Sequence, residues 1–308
     1  ADKKNASLDK ARSVFLVFAI LKMCRYKMIV IEKAYAKINL ILDVAGKRPD
    51  GYHEIRTVMQ SLSLYDTITL SEKSHGQISL DCNLAELPVD AGNLAWQAAS
   101  LIQAEYGVAS GVHITLKKRI PVAAGLGGGS SNAAAVLRGL MRLWGLSPKE
   151  GELSALAAKL GSDVPFCLSG GTALGTGRGE IVTALPTCPH FYVVLANPGF
   201  PVSTASVYQN FRFEGNKARP DIDGMIAAIC RAEQSGILVR LANALESSTF
   251  SLYPLVQELK AKMGQMGSAL MCGSGATVFA LFTAAAAAKR LQQALLAAGT
   301  TAWLTETI

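Results

Sequence analysis

The stretch Pro121-Val122-Ala123-Ala124-Gly125-Leu126-Gly127-Gly128-Gly129-Ser130-Ser131-Asn132-Ala133-Ala134-Ala135 decides how the chain is read. Four of the five residues from 125 to 129 are glycine. Without Cβ atoms the backbone can turn sharply there and come close to a ligand. An alanine-rich helix is expected directly afterwards, from Ser130 to Trp144, ended by Gly145 with Pro148 beyond. The start of a helix presents unpaired N–H groups and the positive end of the dipole, which together favour a phosphate. Ser130 and Ser131 add hydroxyls able to cap the helix, touch phosphate or meet a phosphate-bound Mg2+. Residues 121–131 are thus a candidate nucleotide-phosphate site. A Walker A loop needs Gly-Lys-Ser/Thr, and no lysine stands here; a dinucleotide fingerprint needs a third glycine where Ser130 stands.

The pattern of a proline, three residues and then Gly-Leu-Gly-Gly-Gly-Ser-Ser-Asn-Ala-Ala resembles the second motif of the GHMP kinases, a family of ATP-dependent small-molecule kinases. The family's first motif, a lysine on an early strand, is matched by Ala36-Lys37-Ile38-Asn39-Leu40. Its third, a glycine turn near the C-terminus, is matched by Gly273-Ser274-Gly275-Ala276-Thr277-Val278-Phe279. The motifs stand in family order, and the resemblance spans residues 28–308. It implies an α+β fold of two domains: an N-terminal half like ribosomal protein S5 domain 2 and a ferredoxin-like C-terminal half. The boundaries implied are 28–190 for the ATP-binding domain and 191–308 for the second.

Arg48-Pro49-Asp50-Gly51-Tyr52-His53-Glu54 and Gly161-Ser162-Asp163-Val164-Pro165-Phe166 narrow the resemblance to the branch that phosphorylates the 2-hydroxyl of a CDP-linked methylerythritol. ATP and Mg2+ are the implied cofactors. Siblings acting on homoserine, mevalonate or galactose need no cytosine pocket, and a non-catalytic nucleotide-binding regulator would not need both Lys37 and Asp163. The resemblance implies Asp163 as general base for the attacking hydroxyl. Lys37 beside it would keep that carboxylate ionised and offset charge on the transferred phosphoryl group. Tyr52 and Tyr208 are expected on opposite faces of the cytosine, with His53 at its edge and Asn39 and Thr204 contacting substrate polar groups. Cys272 stands where the family often has serine, which leaves a polar contact there in doubt.

Composition sets the outer bounds. A chain of 308 residues, half of them hydrophobic and 17% charged, has material for about two cores and is not intrinsically disordered. The apolar run from Ser13 to Met23 falls short of the roughly 20 residues a membrane span requires. The net charge of +7 is concentrated in residues 1–27, which alone carry seven basic and two acidic residues. The remainder lacks the basic face of a nucleic-acid-binding domain. Residues 1–27 are read as an N-terminal extension outside the fold, with Met28 as the natural start. Six scattered cysteines show no CxxC and no histidine at metal-ligand spacing, so they are read as free, mostly buried thiols in a reducing, cytoplasmic setting. No metal site is expected beyond the Mg2+ of the nucleotide, and the assembly expected is a monomer or weak homodimer.

Period-2 patterns and β-branched residues predict strands at 29–44, 57–64, 66–71, 77–81 and 112–119, with Lys117, Lys118 and Arg119 forming a solvated strand end. Residues 93–106 and 149–160 are expected as helices and 170–185 as glycine-punctuated β structure. In the second half, helices are expected at 203–211, 221–233, 253–265 and 284–298. Strands are expected at 191–195, around 269–282 and at 300–306.

Overall fold

The computed structural model describes residues 28–213 and 219–308; the expected extension at 1–27 lies outside the described residues. A long antiparallel pair leads the fold, β1 (Ile29–Lys47) and β2 (His53–Lys73), joined by a tight turn in which Gly51 adopts φ 86° and the Arg48 N–H donates to the Tyr52 carbonyl at 2.8 Å. The register slips three times, between Tyr35 and Lys37, between Asn39 and Ile41, and between Val44 and Gly46. Bulges re-aim side chains, and two of these irregularities bracket Lys37 and Asn39. Their side chains, two residues apart, share one face of the strand.

The free edge of β2 serves two partners. Its first half pairs with β5 (Thr172–Thr176), which continues to β6 (Ile181–Ala184); its second half pairs with β4 (Gly111–Lys117), which runs parallel to β3 (Ile78–Cys82). Against this sheet pack α1 (Leu94–Tyr106), capped by the Asn93 side chain, and α2 (Gly128–Leu143), followed by α3 (Glu152–Leu160) and α4 (Val164–Ser169). Small residues bring α2 close to the sheet: Ala133, Ala134 and Ala135 are fully buried beside Ile68 and Leu70.

In the C-terminal half, β7 (Tyr192–Asn197) is followed by the helices α5 (Thr204–Asn210), α6 (Ile222–Cys230) and α7 (Gln234–Leu238), the two-residue β8 (Ala242–Asn243), α8 (Glu246–Leu252) and α9 (Pro254–Gly264). The hairpin β9 (Ser268–Met271) and β10 (Val278–Phe282), α10 (Ala285–Ala297) and β11 (Thr301–Glu306) complete it. The four long strands form an antiparallel sheet ordered β11-β7-β10-β9, which is the ferredoxin-like order. The halves are stitched together by backbone: β8 adds to β1 in parallel, and the segment after β11 reaches β2, where Ile308 N–H donates to the Ser61 carbonyl and Gln60 Nε2 donates to that of Ile308.

Most expected elements are present, with instructive differences. Residues 57–71 form one continuous strand rather than two, running through Tyr65, and Asp66, expected at the start of the second strand, is fully buried with its carboxylate engaged elsewhere. Helix α2 starts two residues earlier than Ser130, because Gly127 takes the left-handed N-cap conformation. The helix expected over 221–233 stops at Cys230, with Ala232 at φ 52° ahead of the separate α7, which was not expected. Lys118 is buried in an ion pair with Asp66 rather than solvated, while Lys117 and Arg119 are exposed. Among the described cysteines only Cys188 and Cys272 are buried, and Cys230 is exposed. No described helix is long and apolar enough to cross a membrane.

Candidate active site

Lys37 follows directly on a bulge in the β1–β2 ladder, and its N–H donates to the Leu126 carbonyl at 3.0 Å, so the strand carrying the lysine is bonded directly to the glycine loop. The side chain is nearly fully buried, at 4% exposure. Its Nζ lies 3.2 Å from Asp163 Oδ2 and donates to Asn39 Oδ1 at 2.9 Å. Asn39 Nδ2 donates to Thr57 Oγ1 at 2.9 Å, and Thr57 Oγ1 donates to the Ile41 carbonyl at 2.8 Å. That relay fixes the amide with its oxygen toward the lysine. Asn39, expected as a substrate contact, thus engages both amide atoms within the protein and holds Lys37. Burial by itself would push the Lys37 pKa down, but the Asp163 carboxylate outweighs it, and the ammonium is held above its ordinary 10.5. Cys272 and Cys167 border the pair as neutral thiols, each pushed up to about 12 by burial.

Asp163 sits at the N-cap of α4, where Gly161 and Ser162 make the turn and Pro165 opens the helix. Lys37 and Asp163 form the floor of a cavity of about 860 Å3. Its walls carry Tyr52, His53, Thr204 and Tyr208, and three cations absent from the sequence-based list: Lys47, Arg178 and Arg212. The expected Tyr52–Tyr208 pair is not what faces across it. Tyr52 and His53 are adjacent at the entry to β2, and both line this cavity. The ring that meets Tyr208 is His53, with centroids 5.1 Å apart and planes tilted by 32°. Phe211 closes edge-on against His53 at 6.2 Å. Tyr52 is 56% exposed, with the Arg178 guanidinium 4.9 Å above its ring. Burial, together with nearby Lys47, holds the His53 pKa below its ordinary 6.5, so the ring is neutral at pH 7. Burial and the Asp163 charge push the Tyr208 hydroxyl up. Thr204 Oγ1 is paired with Ser274 Oγ at 2.8 Å, at the glycine turn between β9 and β10.

A second hollow of about 280 Å3 is lined by Pro121, Val122, Ala123, Ala124, the glycine loop and Ser130. Gly127 caps α2 with no side-chain bond, which leaves the first-turn N–H groups of the helix to a ligand. Ser131 is not at this surface: it is buried and its hydroxyl donates to the Gly128 carbonyl at 3.0 Å. Ser130 lines both hollows, and with Gly125 and Gly127 it forms their common rim. A Cβ on Gly127 would lie 2.9 Å from Lys37 Cγ, and one on Gly125 only 2.6 Å from the Cys272 carbonyl oxygen. The loop is therefore wedged between the lysine strand and the C-terminal glycine turn.

A phosphate cradle that shares its rim with a lysine–aspartate pair belongs to phosphoryl transfer, and the wider comparison agrees. Residues 93–171 match the GHMP kinases N terminal domain and residues 225–300 the GHMP kinases C terminal. The chain belongs to the GHMP kinase family. Within it, the chain is 49% identical over 256 residues to the 4-diphosphocytidyl-2-C-methyl-D-erythritol kinase of Bacillus subtilis, covering 82% of this chain and 88% of the relative. The enzyme of that name from Brevibacillus brevis is 47% identical over 265 residues, covering 85% and 91%. A crystal structure of 4-(cytidine 5'-diphospho)-2C-methyl-D-erythritol kinase superposes with a TM-score of 0.76 at 37% identity, covering 90% of this chain and 98% of the other.

Two predictions follow from this geometry. Gly127→Ala and Gly145→Ala both place a methyl on a left-handed backbone (φ 69° and 61°), and only Gly127 has a neighbour in the way. Each loses roughly 1–2 kcal/mol in thermal denaturation, while turnover falls tenfold or more for Gly127→Ala alone. Because the Lys37 ammonium persists beyond pH 10 and His53 is already neutral at 7, kcat and alcohol KM stay flat between pH 7 and 9.5. An alkaline loss of kcat with its midpoint below 9 would contradict the Lys37 assignment.

Proposed function

We propose that this chain uses ATP to phosphorylate the 2-hydroxyl of 4-diphosphocytidyl-2-C-methyl-D-erythritol, in the non-mevalonate route to isoprenoid precursors. Residues 28–190 and 191–308 form its two domains. The observation that carries this reading is the shared rim of the two hollows. ATP seated in the cradle with its triphosphate at Gly125–Ser130 would end its γ-phosphate beside Lys37, opposite an alcohol held in the larger cavity. Asp163, partly solvated at the floor of that cavity, is placed to accept the hydroxyl proton as the oxygen attacks phosphorus and the bond to ADP breaks. Lys37 offsets the charge gathering on the transferred group.

The size and lining of the larger cavity support a nucleotide-tethered alcohol. His53 and Tyr208 offer an aromatic wall for the base, and Arg178, Lys47 and Arg212 offer cations for a diphosphate. Mg2+ would accompany the phosphates and neutralise charge on them. Among the described residues no three His, Cys, Asp or Glu side chains gather to hold a metal. The phosphate oxygens would therefore supply most of the ion's ligands, with the Ser130 hydroxyl, rather than that of Ser131, as the protein's contribution.

A coupled ADP-release assay with Mg-ATP, comparing the cytidyl alcohol with homoserine, mevalonate and galactose, should show turnover confined to the first; turnover of another alcohol would discard the substrate and keep the kinase. With the cytidyl substrate, Lys37→Ala and Asp163→Asn each lower kcat by about 10²-fold or more, and near-normal turnover by either would remove its role. Arg178→Ala should leave kcat nearly unchanged and raise KM for that substrate by about tenfold, the scale of a lost charge-assisted hydrogen bond.

A further inference from the structure

Asp66 lies on β2, away from the cavity where Lys37 and Asp163 meet, and it is completely buried. Its carboxylate gathers four donors. Oδ1 accepts the N–H of Arg119 at 2.6 Å and of Ile120 at 2.8 Å; Oδ2 accepts Asn132 Nδ2 at 2.8 Å and the Lys118 ammonium. Lys118 Nζ also donates to Asn132 Oδ1 at 2.8 Å, which closes a triangle among the three side chains. Asn83 clamps Lys118 from outside, with its Oδ1 accepting the Lys118 N–H at 2.7 Å.

Residues 118–120 enter the glycine loop and Asn132 follows it, so one carboxylate holds both ends of the segment 121–131. The Lys118 ammonium stands under the cradle, 3.4 Å from where a Cβ of Gly128 would be. Two opposite charges are costly to bury, and a well-packed apolar pair often stabilises a core as well or better. An apolar pair could not accept two backbone N–H groups at the loop entrance while orienting an amide in the second turn of α2.

We propose that Asp66 is a positioning residue for ATP. Through Lys118, Asn132 and the Arg119–Ile120 backbone it fixes the separation of the two loop ends, and with it the direction of the N–H groups that receive the triphosphate. The proposal rests on the reading of residues 121–131 as the ATP cradle. It also accounts for a loop without a Walker lysine that still has a lysine close by: Lys118 lines the cradle hollow and is held there by Asp66 and Asn132.

The test measures ATP affinity by calorimetry without the alcohol, then KM for the alcohol at saturating ATP, with circular dichroism reporting folding. Asp66→Asn keeps the side chain's shape and an oxygen for the two backbone donors, but removes the charge facing Lys118 and turns an amide donor toward Asn132. It is expected to weaken ATP binding tenfold or more, with the alcohol KM within twofold of the unaltered protein and the fold retained. Unchanged ATP affinity in folded Asp66→Asn, or a parallel loss for both substrates, overturns the proposal. If Asp66→Asn does not fold, Asn132→Ala carries the test: a loss of ATP affinity of threefold or more with the alcohol KM unmoved supports the anchor, and unchanged ATP affinity removes it. Failure of the unaltered protein to phosphorylate the cytidyl alcohol would concern that substrate alone, since calorimetry reads ATP without it.

Discussion

The closeness of the glycine loop to the buried lysine is the constraint on which the rest depends. At Gly127 there is no room for a single methyl group above the Lys37 side chain, and the Lys37 backbone is bonded to Leu126 in the same place. The glycine loop and the buried Lys37 cation are thereby fixed to one another by backbone rather than by long, flexible side chains. The cation in turn cannot stand alone in so dry a position. Its burial is tolerated because Asp163 and the Asn39–Thr57 relay surround it. The carboxylate that holds Lys37 charged is also the one exposed to the cavity side.

What could be read from the sequence follows from how locally each feature is encoded. The cradle was legible because its glycines, its serines and the helix behind them are contiguous, and the helix and strand patterns were legible for the same reason. Asp66 gave no such signal. Its side-chain partners lie 52 and 66 residues further along the chain, and an aspartate at the start of an expected strand reads as a solvated end rather than a buried anchor. Six or seven residues hold few turns to show a helical period: α4 and α8 escaped, while α5, of similar length, was expected.

The candidate site shows the same division. Lys37 and Asp163 came from motifs, and the structure brings them within 3.2 Å. Which of Tyr52 and His53 meets Tyr208 depends on where β2 begins at the exit of a tight turn, and Tyr52 lies just before its first residue. The turn alone does not fix that choice. Arg178 sits between two glycines in the β5–β6 hairpin, with nothing in its neighbourhood to distinguish it from any surface arginine. Ser130 and Ser131 are chemically identical and adjacent; only the true start of α2 decides which one faces a ligand.

The docking of residues 305–308 on β2 has a bearing on how the protein is made. Ser63 Oγ is 2.9 Å from Thr305 Oγ1, and Ile308 bonds to both Gln60 and Ser61, across more than 240 positions in the chain. On the ribosome the middle of β2 emerges early, and these partners emerge only after α10 has been synthesised. Over that interval the nascent N-terminal half holds an unfinished strand edge. The glycine turn that backs the loop is also synthesised long after it, so the glycine loop supported on both sides exists only once β9 and β10 have been made.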